Sequence, residues 1–255
     1  MAEDDRNFTR AFDFEIKIAQ SKKEIEQTLK LRHEIFLQEL AGPDTVQSEN
    51  DQDVDIYDGV CDHLIVIDKI AHKVVGTYRL LLGSKVGVNP GFYADQFFDI
   101  TAIRNLANSH EICELGRSCV HKDYRNRSVI NLLWSGIAKY VKENNVRYLF
   151  GSPRFNSNDP YEVSRVFKFM KEKYYAPPEY RVHPKPDKAF KGLLTDVPLP
   201  SSREIFGNLP PLIKAYIRAG IVVCGPPAID PLGSAVVCVL LDIEALPPSY
   251  KQHYL

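Results

Sequence analysis

"CELGRSCVHKDYRNRSVINLLW", residues 113–134, is the stretch on which the reading of this chain turns. A strand from Ile112 to Val120 passes through a short basic turn, Arg125-Asn126-Arg127-Ser128. An amphipathic helix, Val129 to Glu143, follows on Ile130, Leu133, Trp134, Ile137 and Val141. A helix start presents unpaired backbone N–H groups and the positive end of the helix dipole, so such a turn suits a phosphate ester. Arg125 and Arg127 add charge, Ser128 is placed to cap the helix, and Lys122 extends the patch, although Asp123 interrupts it. The turn contains no glycine, and a solvated turn with ordinary surface arginines is the competing reading. Glu114 raises a second question, because a carboxylate among Ile112, Leu115 and Val120 is costly unless paired or functional. Strand alternation puts Glu114 and Arg117 on opposite faces, and a bulge at Gly116 would bring them together. Glu114 is then either half of a structural Glu–Arg pair or a general base whose proton affinity is set by burial and by Arg117.

The chain has 255 residues, enough to bury a substantial core, with 44% apolar and 25% charged residues as in ordinary globular proteins. Lys plus Arg (32) nearly balance Asp plus Glu (33), so an electrostatic partner must be met by a local patch. No extended basic stripe supports a nucleic-acid role. Five scattered cysteines without a CxxC pair argue against a disulfide framework or a zinc ribbon. The acidic start, MAEDDRNFTR, lacks the apolar core of a signal peptide, and apolar stretches such as Ala235 to Leu241 are far too short to span a membrane. The expectation is a cytoplasmic protein, with peripheral contact at the inner face of the membrane compatible.

Along the chain, Phe12 to Ala19 alternates as a strand, and Ser21 to Glu24 fits a capping box. The helix that follows carries Ile25, Leu29, Ile35, Phe36 and Leu40 and ends near Gly42-Pro43. His63 to Asp68 and Val74 to Leu82 read as paired strands. Residues 83–110 are irregular apart from a short helix at 102–107. A strand at Tyr148 to Phe150 and a helix from Pro160 to Lys173 come next. Pro177 to Arg203 reads as a long connection or flap. A helix from Pro210 to Ala219 and strands at Val222 and at Ala235 to Leu241 close the chain. The organisation is a single α/β (α+β) domain over residues 1–255, with a core of about 12–175 and a C-terminal extension of about 176–255.

Asp44 to Asp62 holds seven carboxylates and no Lys or Arg. Asp51, Asp53 and Asp55 begin like a calcium loop, but the sixth position is Ile56 and the twelfth is Asp62, so no metal is assigned. A solvated acidic loop is the plainer reading. His63 fits a hydrogen-bonded structural histidine. Arg32 and Arg79 either bind a carboxylate bidentately or pair with the acidic loop. Ile35, Phe36 and Trp134 fit the core better than an acyl-chain tunnel. Cys113 and Cys119 flank the central motif, and only Cys119-Val120-His121 offers a nearby base, which makes a poor case for a cysteine nucleophile.

"ELGRSCVHKDYRNRSVINLLW" resembles the central motif of the ornithine lipid synthase family, GNAT-like N-acyltransferases that use acyl-carrier-protein thioesters. "LRHEIFLQELA" (31–41), "DVDIYDGVCDHLIV" (53–66), "VVGTYRLL" (74–81) and "LPPLIKAYIRAGIVVCG" (209–225) are similar in the same order, so the resemblance spans most of the chain. Arg32, Phe36, Asp55, Asp58, Arg79, Glu114 and Arg117 also resemble the pattern of acyl-homoserine-lactone synthases. The resemblance implies a GNAT-like mixed central sheet flanked by helices. It implies a catalytic Glu114 with Arg117, and an acceptor site from Arg32, Asp55, Asp58, His63 and Arg79. It also implies a phosphopantetheine and carrier-protein site at Val120, Lys122, Arg125, Asn126, Arg127 and Ser128, with backbone N–H groups from Ser118 to Val120 polarising the thioester. In the GNAT phosphate loop, Arg/Gln-x-x-Gly-x-Gly/Ala, the small positions are here Ser128 and Ile130. A loop without glycine approaches a pyrophosphate less closely, which favours acyl-carrier protein over acyl-coenzyme A as co-substrate. Around Asp230-Pro231-Leu232-Gly233 the chain departs from the acidic–Phe–Asn stretch of the family.

The function so implied is transfer of a long, 3-hydroxylated acyl chain from acyl carrier protein to the α-amine of an amino acid, ornithine first, with no bound cofactor. The alternatives are another N-acyl amino acid, an acyl-homoserine-lactone-type signal, or a non-catalytic acyl-carrier or lipid-binding module.

Overall fold

Phe14, Ile16 and Ile18 alternate with Glu15 and Lys17, the period of a half-buried strand, and β1 covers Phe14–Ile18. The computed structural model describes residues 13–39, 49–125, 127–155, 157–199 and 201–254. The capping box forms as read: Ser21 Oγ accepts the Glu24 N–H at 3.2 Å, and the Glu24 carboxylate accepts the N–H groups of Gln20 and Ser21 at 2.9 and 3.0 Å. It opens α1 (Lys22–His33), which continues as a π-helical segment, Glu34–Glu39. The end anticipated near Gly42-Pro43 lies outside the described residues.

The next strands are β2 (Asp62–Asp68) and β3 (Lys73–Leu82). After β4 (Phe98–Asp99), α2 (Thr101–Arg104) is shorter and earlier than the helix expected at 102–107. Next come β5 (Ile112–Val120), α3 (Arg127–Glu143), β6 (Tyr148–Gly151) and α4 (Pro160–Tyr174). Because α3 starts at Arg127, Ser128 lies inside its first turn, and the capping position falls on residue 126, outside the described residues. Asp159 caps α4 by accepting the N–H groups of Tyr161 and Glu162 at 3.0 Å each.

The chain ends with β7 (His183–Pro184), α5 (Ser202–Asn208), α6 (Pro211–Ala219), β8 (Val222–Val223), β9 (Ala228–Ile229), β10 (Ala235–Val236), β11 (Val239–Asp242) and α7 (Pro248–Tyr254). Two expectations are corrected here. Pro177 to Arg203 is not only a connection, since β7 pairs with β4 and α5 begins at Ser202 on a Ser201 cap. The single strand expected over Ala235 to Leu241 divides in two: β10 pairs with β9, while β11 joins the main sheet. Such a division cannot be read from an unbroken apolar run, because both halves are buried.

The main sheet has seven strands in the order β1-β2-β3-β5-β6-β11-β8. It is mixed: β1/β2, β6/β11 and β11/β8 are antiparallel, and β5/β6 is parallel. The chain divides into two compact units. One comprises the residues up to Val54, His63–Tyr78 and Arg117–Gly136, with Leu31, Ile35, Ile65, Val74 and Cys119 in its core. The other comprises Asp55–Asp62, Arg79–Gly116 and the residues from Ile137 on, with a larger core that includes Phe92, Phe97, Phe98, Phe150 and Leu240. Among the described residues, no helix is long and apolar enough to cross a membrane.

β5 and β6 pair with Glu114 opposite Phe150 and Leu115 opposite Gly151. A Cβ at Gly151 would stand 2.7 Å from the Leu115 carbonyl oxygen, a backbone atom that cannot rotate away. Gly151→Ala is therefore expected to destabilise the protein by about 2 kcal/mol. Urea unfolding measures this as a lower midpoint.

Candidate active site

β5 carries Glu114 into the interior of the second unit, where it is only 4% exposed. Burial costs a carboxylate several kcal/mol unless its oxygens are satisfied, and here both are. Oε2 accepts the Tyr93 N–H at 2.7 Å and Oε1 the Ala94 N–H at 2.9 Å. These donors are the first two residues of a 3₁₀ turn, Tyr93–Gln96, whose N–H groups at that end have no partner within the turn. Each carboxylate oxygen keeps a second lone pair. Burial pushes the Glu114 carboxyl up to about 7, with the two N–H bonds and the Arg79 charge pulling the other way.

Glu114 lines a small cavity of about 10 Å³, room for about one water, with Tyr57, Cys61, Arg79, Leu81, Tyr93 and Gly116. Arg79 comes from β3. Its Nη1 donates to Asp55 at 2.6 Å and to Asp58 at 3.1 Å, and its guanidinium lies 5.4 Å from the Tyr57 ring and 5.7 Å from the Tyr93 ring. Asp55 also accepts the Tyr57 N–H at 2.9 Å, and Asp58 accepts the Asp55 N–H at 2.8 Å, so the acidic segment is folded around the arginine. Of the two roles open to Arg79, pairing with the acidic loop is the one the structure displays.

The expected coupling of Glu114 to Arg117 is corrected. The cation that counters the burial of Glu114 is Arg79, and Arg117 Nε lies 3.2 Å from Asp53. The irregularity of β5 falls on Arg117 itself, at φ +45°, not on Gly116. A side-chain-bearing residue in the left-handed region costs about 1 kcal/mol or more and persists only where its surroundings hold it. Asp53 does so in the first unit: its Oδ2 also accepts from Arg32 Nε at 2.9 Å, and the Phe36 ring lies 5.6 Å from the Arg117 guanidinium. Arg32, fully buried on α1, therefore belongs to this Asp53 cluster, and neither it nor His63, buried on β2, lines the cavity.

The basic turn is also in the first unit. Arg125 donates from both terminal nitrogens to the Glu39 carboxylate, at 2.6 Å each, and from Nε to the Val120 carbonyl at 3.1 Å. The arginine read as a phosphate ligand is thus already in a bidentate ion pair. Lys122 and Ser128 are exposed beside it, while Asn126 and the Arg127 side chain lie outside the described residues. His121 Nδ1 accepts the Asp123 N–H at 3.3 Å, and its Nε2 lies 3.4 Å from Glu34.

The thiols are poor nucleophiles. Burial pushes Cys61 and Cys119 up to about 12 and raises Cys113 as well, the opposite of an activated cysteine. Among the described residues, no group of three or more His, Cys, Asp or Glu side chains could hold a metal ion. The carboxylates of the acidic segment are taken up elsewhere, Asp62 by Lys85 at 2.6 Å and Tyr140 at 2.5 Å. Asp230, in the stretch that departs from the family, closes its own turn by accepting the N–H groups of Leu232 and Ser234 and the Arg154 Nε. The sequence reading missed Tyr57, Tyr93 and Cys61 as cavity residues and Asp53 as the anchor of two arginines. Only Asp53 left a trace, in its i,i+2 spacing from Asp55.

A mixed sheet whose strand β5 runs through a basic turn into a helix has the architecture of a GNAT-like fold. The chain matches the acetyltransferase (GNAT) domain family over residues 31–135. It is 31% identical over 253 residues to L-ornithine N(alpha)-acyltransferase of Rhodobacter capsulatus, covering 94% of each chain. It is 27% identical to the protein of the same name from Brucella abortus, covering 96% of this chain and 90% of that one. The chain belongs to the L-ornithine N(alpha)-acyltransferase family. Its fold is similar to that of the coenzyme A-dependent acyl-homoserine lactone synthase BjaI, solved with SAM and isopentyl-CoA (TM-score 0.56, 14% identity, covering 94% of this chain and 87% of that one). It is also similar to the AHL synthase LasI (TM-score 0.52, 15% identity, covering 91% of each chain).

Arg32→Met leaves the buried Asp53 with one fewer cation, and is expected to cost about 3 kcal/mol of stability. A urea midpoint equal to that of the unaltered protein would contradict the role given to the Arg32–Asp53 pair.

Proposed function

We propose that this enzyme transfers a long, 3-hydroxylated fatty acyl chain from acyl carrier protein to the α-amine of L-ornithine. The observation that carries the reading is Glu114, a buried carboxylate poised near neutrality on the wall of a cavity. The names of the relatives support ornithine as acceptor. In the reaction the neutral amine nitrogen attacks the thioester carbonyl, the new C–N bond forms and the C–S bond breaks. Glu114, directly or through one water, takes the proton the amine loses, and the phosphopantetheine thiolate leaves and is reprotonated. Backbone N–H groups of Ser118 to Val120 polarise the carbonyl, and Arg117 keeps that half of β5 in its irregular conformation. The raised thiols favour this direct transfer over an acyl-cysteine.

Asp55 and Asp58 supply negative charge toward a cationic acceptor, with Arg79 fixing their positions; Arg32 and His63 act at most through the surrounding fold. Lys122, Arg125, Asn126, Arg127, Ser128 and the Val120 backbone meet the phosphate of the pantetheine arm, and Arg125 must release Glu39 to do so. The thioester is a co-substrate and no resident cofactor is required. Because the product is an amphiphile, peripheral membrane contact belongs to the same reading.

Purified protein with L-ornithine and matched 3-hydroxypalmitoyl donors, followed by mass spectrometry, tests this. N-acyl-ornithine is expected, formed at least about tenfold faster from the carrier-protein donor. Equal or better use of the coenzyme A donor would remove the carrier-protein assignment, and a different amine product would change the acceptor.

The free-enzyme kcat/KM is expected to rise with pH through about 7, since the base must be ionised and Glu114 is pushed up to about 7. Glu114→Gln is expected to lower kcat by 10²–10⁴, the usual range for a lost general base, and to abolish that limb. Near-normal turnover in the variant would take Glu114 out of the mechanism.

A further inference from the structure

The Glu114 carboxylate is held by backbone donors, so whatever shapes the turn that carries them also shapes the base. The 3₁₀ turn Tyr93–Gln96 is closed by Asp95, whose Oδ2 accepts the Phe92 N–H at 2.6 Å. The same carboxylate is ion-paired with Arg104, the last residue of α2. The Arg104 guanidinium lies over the Phe92 ring, 4.8 Å from its centroid. Phe92, 2% exposed, packs edge-on against Phe150 at 5.0 Å, and Phe150 is the β6 residue opposite Glu114. The contacts therefore close a ring: Glu114 to the turn, the turn to Asp95 and Arg104, Arg104 to Phe92, Phe92 to Phe150, and Phe150 back to the strand of Glu114. Gly91 makes room for it, since a Cβ there would stand 2.5 Å from Asp95 Oδ2.

We propose that Asp95 and Arg104 are positioning residues for the Glu114 base, a balanced pair of charges that holds the donor turn in place and sets the field at the carboxylate. This rests on the reading of Glu114 as the base. Neither residue lines the cavity. The charged and titratable groups around Glu114 are Arg79 on β3, with Asp55 and Asp58 behind it, Tyr57 and Cys61 from residues 55–62, Tyr93 and Asp95 from the turn, Cys113 on β5, and Cys238 beside β11. Asp95 makes a negative contribution that raises Glu114, and by Coulomb's law the opposite charge of Arg104, paired with Asp95, acts against it. Removing one partner unbalances the field in one direction, and removing the other unbalances it in the opposite direction. A purely structural pair would lower stability in both variants and move the base in neither.

The experiment is a carboxyl titration by ¹³C NMR of protein labelled at the glutamate side-chain carbonyl, with Glu114→Gln identifying the resonance. Asp95→Asn retains an oxygen for the Phe92 N–H and is expected to lower the Glu114 midpoint by roughly half a unit; Arg104→Gln is expected to raise it by a similar amount. Unchanged midpoints, or shifts of the same sign, would overturn the inference. Urea midpoints show that each variant is folded, and Arg104→Gln alone, which leaves the cap intact, decides the sign if Asp95→Asn unfolds. The pH dependence of turnover is measured on the same proteins with 3-hydroxypalmitoyl carrier protein and L-ornithine. Opposite NMR shifts with an unmoved kcat/KM limb would leave the pair as a tuning device and defeat the assignment of Glu114 as the base. Limbs that follow the NMR midpoints support both.

Discussion

A carboxylate held in the interior by two backbone N–H groups is the constraint around which the second unit is arranged. An ionised side chain there is tolerable only because Tyr93 and Ala94 present the unpaired end of a 3₁₀ turn to it. That turn needs its own closure, supplied by Asp95, and the aromatic contacts of Phe92 and Tyr93 fix its place in the core. Two hydrogen bonds and a nearby guanidinium do not fully repay desolvation, so the proton is held more tightly in the fold than in the unfolded chain. The sign follows by linkage: the fold is favoured while Glu114 is protonated, and stability is lost as pH rises from the ordinary carboxylate range through about 7. A carboxyl that titrates near neutrality is thus obtained at the expense of the ionised fold.

The acidic segment solves the converse problem, two deeply buried arginines. Asp53 and Tyr57 are buried and Asp55 is half-buried, while the intervening Val54 and Ile56 are 62% and 67% exposed. The usual burial of apolar and polar residues is inverted because Arg32 and Arg79 lie inside and must be neutralised there. Each arginine has its own carboxylates: Asp53 for Arg32, and Asp55 with Asp58 for Arg79. The alternate spacing of Asp53 and Asp55 has its physical explanation in these pairs.

Much of the fold was legible. The alternation of β1, the capping box of α1, the β2/β3 strand pair and the strand–turn–helix of β5 and α3 are local patterns, and local patterns are what sequence records. The two-residue strands β4, β7 and β9 were not legible, because they are defined by their partners and have no periodicity of their own. The helices α5 and α7 are too short to show a convincing apolar stripe. The division of Ala235 to Leu241 was hidden by a run buried on both sides.

The candidate site separates in the same way. Sequence alone determined that Glu114 is an anomaly needing explanation, that Arg32 and Arg79 either bind a carboxylate ligand or pair with the acidic segment, and that a basic turn precedes a helix. Those conclusions follow from residue chemistry and the short spacing of a strand or a turn. Only the tertiary structure decided which charge meets which: Arg79 with Asp55 and Asp58, Arg117 with Asp53, and Arg125 with Glu39. It alone brought Tyr93 and Ala94 to Glu114 from 21 and 20 positions away in the sequence. Backbone N–H groups are the same in every residue but proline, so no sequence pattern marks where two of them converge on a carboxylate.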